Sequence, residues 1–149
     1  MNYSPDVRSG EHDLLALLFD MNVLFENYVF RKLKKLEYTH DIEVIGQPSR
    51  KFWNRKNIRP DIVLFSEGNY YVIDTKWKVL KNNTPHGDDL KQMYVYNRFF
   101  KAHKSVLVYP KVEHFHETVE GIFHDHDTVQ EGRCDLFFST IIEPLPYPI

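Results

Sequence analysis

Apolar residues in the first part of the chain fall at helical spacing. Leu14, Leu17, Leu18, Met21, Leu24, Phe25 and Tyr28 recur every three or four positions, which predicts a long amphipathic helix over His12–Leu36. Lys32, Lys34 and Lys35 suit the C-terminal end of its dipole. The pattern then shortens. A strand is expected at Ile42–Gln47, followed by the polar stretch "PSRKFWNRKN". Two apolar runs, near Arg59–Phe65 and Tyr70–Trp77, flank Ser66-Glu67-Gly68-Asn69 and predict a β-hairpin. "KNNTPHGDD" has the composition of a loop, with Gly87 or Asp88 suited to cap a second helix from Asp89 to about His103. "SVLVYP" is a short, wholly apolar strand stopped by Pro110. "HFHETVEGIFH" and "RCDLFFSTII" suggest further strands, and "EPLPYPI" an irregular, proline-rich end.

Short connections make the first three strands an antiparallel meander. The helix from Asp89 is long enough to cross over and lay the next strand parallel to the third. The expected class is therefore α/β, a mixed sheet flanked by helices, in one domain over 1–149 with irregular ends at 1–11 and 143–149. The length allows a core of its own, and 42% hydrophobic with 15% aromatic residues predicts a globular chain. A net charge of −2 excludes a uniformly basic protein, so any nucleic-acid surface has to come from local clustering. Cys134 alone permits neither an internal disulfide nor a cysteine-based zinc cluster. "MNYSPDVRSGEHD" lacks the pattern of a signal peptide, and no apolar run is long enough to span a bilayer. A cytoplasmic protein, off the membrane, is the expectation.

The far ends of the hairpin carry charge where a packed sheet should be apolar: Asp61 on the first run, Asp74, Lys76 and Lys78 on the second. With Glu67-Gly68 as a two-residue turn, Ser66 faces Asn69 and Asp61 faces Asp74. A turn one residue later shifts the register by two and keeps both carboxylates on one face. Opposed Cβ atoms on neighbouring strands lie about 5 Å apart. Lys76 shares that face, while Thr75 and Trp77 point away. Two carboxylates so placed repel unless one is protonated or a cation bridges them. A hard divalent cation such as Mg²⁺ suits the pair, with phosphate oxygens and waters completing its octahedron. The adjacent lysine can orient or deprotonate water, or stabilise charge developing on a phosphate. The plainer reading is a solvent-facing hairpin end with a surface ion pair.

Pro60-Asp61 and Asp74-Thr75-Lys76, on a helix, three-strand, helix, strand core, resemble the PD-(D/E)xK nuclease superfamily and its restriction-endonuclease-like fold. More narrowly, "RPDIVL", "IDTKWK" and "DDLKQMYVY" are similar to the nuclease region of the McrC family, the cleavage subunits of modification-dependent restriction systems. The resemblance covers roughly Asn22 to Tyr109 and is most specific between Arg59 and Tyr96. It implies that Asp61 and Asp74 hold Mg²⁺ (or Mn²⁺), that the Thr75 carbonyl is a further ligand, and that Lys76 is catalytic. It implies DNA as substrate and a GTP-hydrolysing AAA+ partner of the McrB type. McrC-type proteins engage that partner through a substantial region before the nuclease. This chain starts close to the nuclease helix, so an excised domain or a shorter relative is expected.

The resemblance also draws in neighbours. Related nucleases often supply an acid from the first helix, here Glu26; the plain alternative is a boundary glutamate paired with a lysine. Gln92 and Tyr96, four apart on the second helix with Asp89 one turn earlier, resemble a Q-x-x-x-Y feature that lines the DNA groove in exonuclease-like branches. Otherwise Tyr96 is core and Gln92 its hydrogen-bonding neighbour. Arg50, Lys51, Arg55, Lys56 and Arg59 form an acid-free run around Phe52 and Trp53 that can neutralise phosphates and stack on a base, or fold its aromatics onto the core. Lys78 and Lys81 extend that positive surface. His114, His116, His124 and His126 form two H-x-H pairs, either a transition-metal site or exposed strand histidines, with no third ligand set by spacing. The expectation is a Mg²⁺-dependent DNA endonuclease domain. The alternatives are a non-catalytic DNA-binding or docking subunit that keeps the fold, and a nuclease directed at RNA.

Overall fold

The structure, a computed structural model, describes residues 20–112, 117–124 and 132–140. Residues 12–19 of the expected first helix, His114, His116, His126 and both irregular ends lie outside them. Helix α1 runs over Met21–Leu36, capped by Asp20, whose carboxylate accepts from the N–H groups of Asn22 at 3.0 Å and Val23 at 3.5 Å. Its other end is tied to strand β1 (Ile42–Gly46). Lys34 Nζ donates to Glu37 Oε1 at 2.8 Å and to the Val44 carbonyl at 3.0 Å, while the same Glu37 oxygen accepts from Val44 N–H at 2.6 Å. Where β1 passes Phe30, a Cβ on Gly46 would come within 3.0 Å of the ring.

The expected hairpin is β4 (Ile62–Ser66) and β5 (Asn69–Thr75), paired Ser66 to Asn69 and Ile62 to Ile73. Glu67 (φ 49°) and Gly68 (φ 79°) are both left-handed, as a type I′ turn requires to match the strand twist. Helix α2 (Gly87–Phe99) then crosses over to β6 (Lys104–Pro110), which pairs parallel with β5, and β8 (Gly132–Ser139) pairs parallel with β6. With the short β7 (Ile122–Phe123), the six-stranded order is β1-β4-β5-β6-β8-β7. Alternation along the central strands feeds two cores. Ile62, Ile73 and Val108 pack with Phe25 and Val29 of α1, whereas Val63, Val72, Leu107 and Tyr109 pack with Met93, Tyr96 and Phe100 of α2. No described helix is long and apolar enough to cross a membrane.

Three expectations need correction. The polar stretch "PSRKFWNRKN", where no strand was expected, carries a second hairpin, β2 (Arg50–Trp53) with β3 (Lys56–Ile58), kinked by a register shift between Lys51 and Trp53. All of its strand residues but Ile58 are exposed, so no apolar alternation marks it. Helix α2 is capped by His86, not Gly87 or Asp88: the imidazole Nδ1 accepts from Asp88 N–H at 3.3 Å. It also stops at Phe99, because Lys101 turns left-handed (φ 49°) and Ala102 N–H bonds back to the Asn97 carbonyl at 2.9 Å.

Leu107 is fully buried where α2 meets the middle of the sheet. Leu107→Ala should cost about 2–5 kcal/mol in urea unfolding, through the transfer energy of the removed atoms and the cavity left behind. Val23→Ala, on the exposed side of α1, should stay within about 0.5 kcal/mol of the parent.

Candidate active site

The β4–β5 register places Asp61 one step beyond the Ile62–Ile73 pair, across from Asp74. Asp61 follows the fully buried Pro60 and is held on two sides. Its carbonyl accepts from Gln47 N–H at 2.7 Å, and its Oδ2 accepts from Thr75 N–H at 2.7 Å and the Thr75 hydroxyl at 2.8 Å. The side chain thus takes the place of a ladder carbonyl at the end of β5. Thr75, expected to point away from the site, turns its hydroxyl back to this carboxylate, while Trp77 packs on Phe25 at 5.4 Å on the α1 side.

Asp74 is 3% exposed, beneath α2. Its Oδ2 is buried without an aligned hydrogen-bond donor, and its cationic neighbour is Lys76 Nζ at 2.8 Å. Burial pushes the Asp74 carboxyl up to about 6, the charge of Asp61 adds to the rise, and Lys76 only partly offsets it. Burial pulls the other way on Lys76, yet the bond to Asp74 and the charges of Asp74, Asp89 and Asp61 outweigh it, so the ammonium is held above its usual range.

Helix α2 fixes that ammonium from above. Lys76 Nζ donates to Gln92 Oε1 at 2.9 Å and lies 3.6 Å from Asp89 Oδ1, whose other oxygen is bonded by Lys78. Gln92 Nε2 donates to the Tyr96 hydroxyl at 2.9 Å, and that hydroxyl donates to the Arg59 carbonyl at 3.2 Å. A continuous polar chain therefore runs from Asp74 through Lys76, Gln92 and Tyr96 to the residue just before Pro60. Gln92 and Tyr96 stand in the site as orienting groups, and Tyr96 also contributes to the core.

Glu26 projects from α1 towards the other side of Asp61. Gln47 Nε2 donates to its Oε1 at 2.6 Å, and burial and then the charge of Asp61 raise its carboxyl, against the pull of Gln47 and Arg59. Its hydrogen-bond partner is a glutamine, where the plain alternative had a lysine. Among the described residues no three His, Cys, Asp or Glu side chains converge into a metal cage. The Asp61 and Asp74 carboxylates are the two acids that the hairpin register brings together. His124, the one described member of the H-x-H pairs, is exposed.

The basic stretch is split by its hairpin. The Arg50 guanidinium sits over the Phe100 ring at 4.8 Å, and Phe52 meets Phe99 edge-on at 5.8 Å, so both are drawn onto the end of α2. Lys51, Trp53, Arg55, Lys56 and Arg59 are exposed too, Trp53 at 66%. Gln47 and Tyr109 were not expected at the site, and Asp89 was placed beside Gln92 and Tyr96 without a role. Asp89 was legible as the residue one turn before Gln92 on the same helix face; Gln47 gave no signal. Tyr109 reads as core, but its buried hydroxyl lacks a hydrogen-bond partner, and after burial the charge of Asp89 is the largest influence raising its pKa.

No curated protein sequence matches this one. Among solved structures, a chain of the half-complex from a tetradecameric assembly of Thermococcus gammatolerans McrB AAA+ hexamers with bound McrC superposes with a TM-score of 0.64 at 24% identity. The match covers 82% of this chain and 28% of that one, so this chain spans well under half of its length and the likeness shows a shared fold. The crystal structure of SSO0001 gives a TM-score of 0.44 at 19% identity, over 89% of this chain and 63% of that one, too low to establish a common fold. The sequence profile of the McrBC 5-methylcytosine restriction system component matches residues 1–110, which takes in Glu26, both aspartates, Lys76, Gln92 and Tyr96. By that match, over most of its length, the chain belongs to the McrBC 5-methylcytosine restriction system component family.

Proposed function

We propose that this chain carries the nuclease of a McrBC-like restriction system, a Mg²⁺-dependent endodeoxyribonuclease that hydrolyses phosphodiester bonds at Asp61, Asp74 and Lys76. The observation that supports this is the buried Asp74 carboxylate with the charge of Asp61 beside it, an arrangement that destabilises the metal-free fold and that a divalent cation would relieve. Asp61, Asp74 and the Thr75 carbonyl would hold the metal, with Mn²⁺ able to replace Mg²⁺ in so hard a donor set. When bound, the metal supplies Lewis-acid activation of the phosphodiester. Lys76, aimed by Gln92 and Asp89, contributes a fixed positive charge where negative charge develops on the phosphate. Glu26, whose carboxyl is raised by burial and by the charge of Asp61, would be a further acid on the Asp61 side of the metal. Lys51, Arg55, Lys56 and Arg59 neutralise backbone phosphates, with Lys78 on the site's other flank and Trp53 as a stacking platform. A GTP-hydrolysing AAA+ subunit of the McrB type would bring the DNA and the specificity.

Asp74→Asn keeps the shape of the residue and removes the charge. Cleavage of plasmid DNA in Mg²⁺ should fall on the order of a hundredfold or more. The folding equilibrium supplies a control. Because the folded pKa of Asp74 (about 6) lies above its ordinary 3.8, the stability linked to its protonation is complete below about pH 3.8 and is lost as pH rises through about 6. In EDTA at pH 7.5, Asp74→Asn should therefore be at least as stable as the parent, and the difference should vanish near pH 4. A folded variant that still cuts at the parental rate would remove Asp74 from the metal site.

Replacing Lys51, Arg55 and Lys56 together with alanine should weaken duplex binding. Its log–log salt dependence should flatten by about 0.9 for each phosphate that is no longer neutralised. An unchanged slope in a fluorescence-anisotropy titration would show that the hairpin does not face the DNA.

A further inference from the structure

Gln47 joins two acids that come from different elements. It lies in the bend just past β1, one step beyond the Gly46–Ile62 pair, and its N–H donates to the Asp61 carbonyl at 2.7 Å. Its side-chain amide reaches the other way, to α1, where Nε2 donates to Glu26 Oε1 at 2.6 Å. One residue therefore fixes the main chain of one acid and the carboxylate of another. Glu26 needs such a hold. Phe25 and Val29 pack α1 onto the sheet, but apolar contacts carry no direction and leave the Glu26 carboxylate free about its own side-chain torsions. The negative charge of Asp61 acts against it there, and the positive charge of Arg59 acts for it. Without the amide, a part-buried glutamate so placed can turn into solvent.

The backbone of Gln47 is held in a conformation that its own sequence does not favour. Its φ is 47°, in the left-handed region, and the following Pro48 pushes the residue before it towards extended conformations. Among the described residues, the other non-glycine positions with positive φ have local reasons for it. Asn54, Asn82 and Asn83 are asparagines, Glu67 belongs to the I′ turn, and Lys101 ends α2. Gln47 belongs to neither a hairpin turn nor a helix end. Strain of this kind persists where the surroundings over-determine it, and it collects at functional sites. Here the two bonds, to Asp61 and to Glu26, are what the conformation achieves.

We propose that Gln47 is a positioning residue of the metal centre: its N–H sets the main chain of Asp61 and its amide aims Glu26, so that both carboxylates serve one divalent cation. The inference rests on the metal-centre reading above and extends it to a residue that need not touch the metal. The bond takes one oxygen of Glu26, and the other is the one a cation can use. Gln47→Asn keeps a side chain that tolerates the left-handed backbone, but it is one methylene short for the bond to Glu26. Gln47→Met keeps the length and removes the donor.

Mn²⁺ binding to the whole chain without DNA, followed by electron paramagnetic resonance of the free ion, tests it. Gln47→Asn and Gln47→Met should each bind Mn²⁺ on the order of tenfold more weakly than the parent, and Asp74→Asn should also bind it more weakly. In the Glu26→Gln background, where binding is already weakened, Gln47→Asn should change the affinity by less than about twofold, because the group it aims is gone. Weakened binding in Asp74→Asn beside parental affinity in both Gln47 variants would overturn the role of Gln47 and leave the metal centre standing. Equal weakening by Gln47→Asn with and without the Glu26 carboxylate would show that Gln47 only supports the fold, and would overturn the proposal as well. Parental affinity in Asp74→Asn, or no Mn²⁺ binding by the parent, would overturn the metal centre and this inference with it. Gln47 is exposed and asparagine suits its backbone, so Gln47→Asn reports even if Gln47→Met unfolds the chain.

Discussion

Burying the Asp74 carboxylate is the constraint around which the rest of the α2 side is organised. A carboxylate in a central strand cannot reach water by shifting an edge, because β4 lies on one side of β5 and β6 on the other. An uncompensated charge there would be excluded or neutralised. Lys76 supplies the countercharge, but a lysine on a flexible stem would spend its time in solvent unless something held it. Gln92 and Asp89 do that from one helix face, and Tyr96 holds Gln92. Helix α2 is therefore mixed in character. Its Met93 and the Phe100 that follows it serve the core, while Asp89, Gln92 and the Tyr96 hydroxyl serve the carboxylate.

The two aspartates face different surroundings although they sit opposite each other. Asp61 Oδ2 receives two donors from Thr75, whereas Asp74 Oδ2 has an ammonium beside it and no aligned donor. The Thr75 clamp fixes Asp61 without any metal, so its geometry is set by the fold. Asp74 is held by one ammonium and by no aligned donor. Such unequal carboxylates allow one to be pre-positioned and the other to gain most when charge arrives. The opposite sheet face, under α1, is packed with apolar side chains such as Phe25, Val29 and Ile73, so the asymmetry of the site is also an asymmetry between the two faces of one sheet.

What could be read from the sequence followed burial. The β4–β5 turn, its register and the common face of Asp61, Asp74 and Lys76 were legible because Val63, Val72 and their neighbours alternate between two buried faces, so a slip of one residue would expose a whole set. The β2–β3 hairpin was not, since its strands bury only Ile58 and alternation carries no signal where both faces are wet. The His86 cap escaped because imidazole is an unusual N-cap and two more ordinary candidates followed it. Gln47 sits just past β1 with a left-handed backbone (φ 47°), and its bonds to Glu26 and Asp61 join residues far apart in the chain. No local pattern could announce such a contact. The Tyr109 hydroxyl is a tertiary feature for the same reason.

The family match ends at Pro110, the last residue of β6, yet the wall behind the site does not end there. Without β8, strand β6 would be an edge and its fully buried Leu107 and Tyr109 would lose Leu136 and Phe138, which help to cover them. Strand β8 pairs with β6 from Ser105 to Pro110 and adds Cys134, Leu136 and Phe138 to the α2-side core. The Phe138 ring stacks on Tyr109 at 5.9 Å, which pins the aromatic whose hydroxyl lies within the electrostatic reach of Asp89 and Asp74. Lys76 N–H in turn bonds the Val108 carbonyl at 2.9 Å, so the strand that carries the lysine is braced by a strand that β8 braces. The residues that do the proposed chemistry lie within the matched part of the chain, and the rigidity that holds them in register is supplied partly from beyond it.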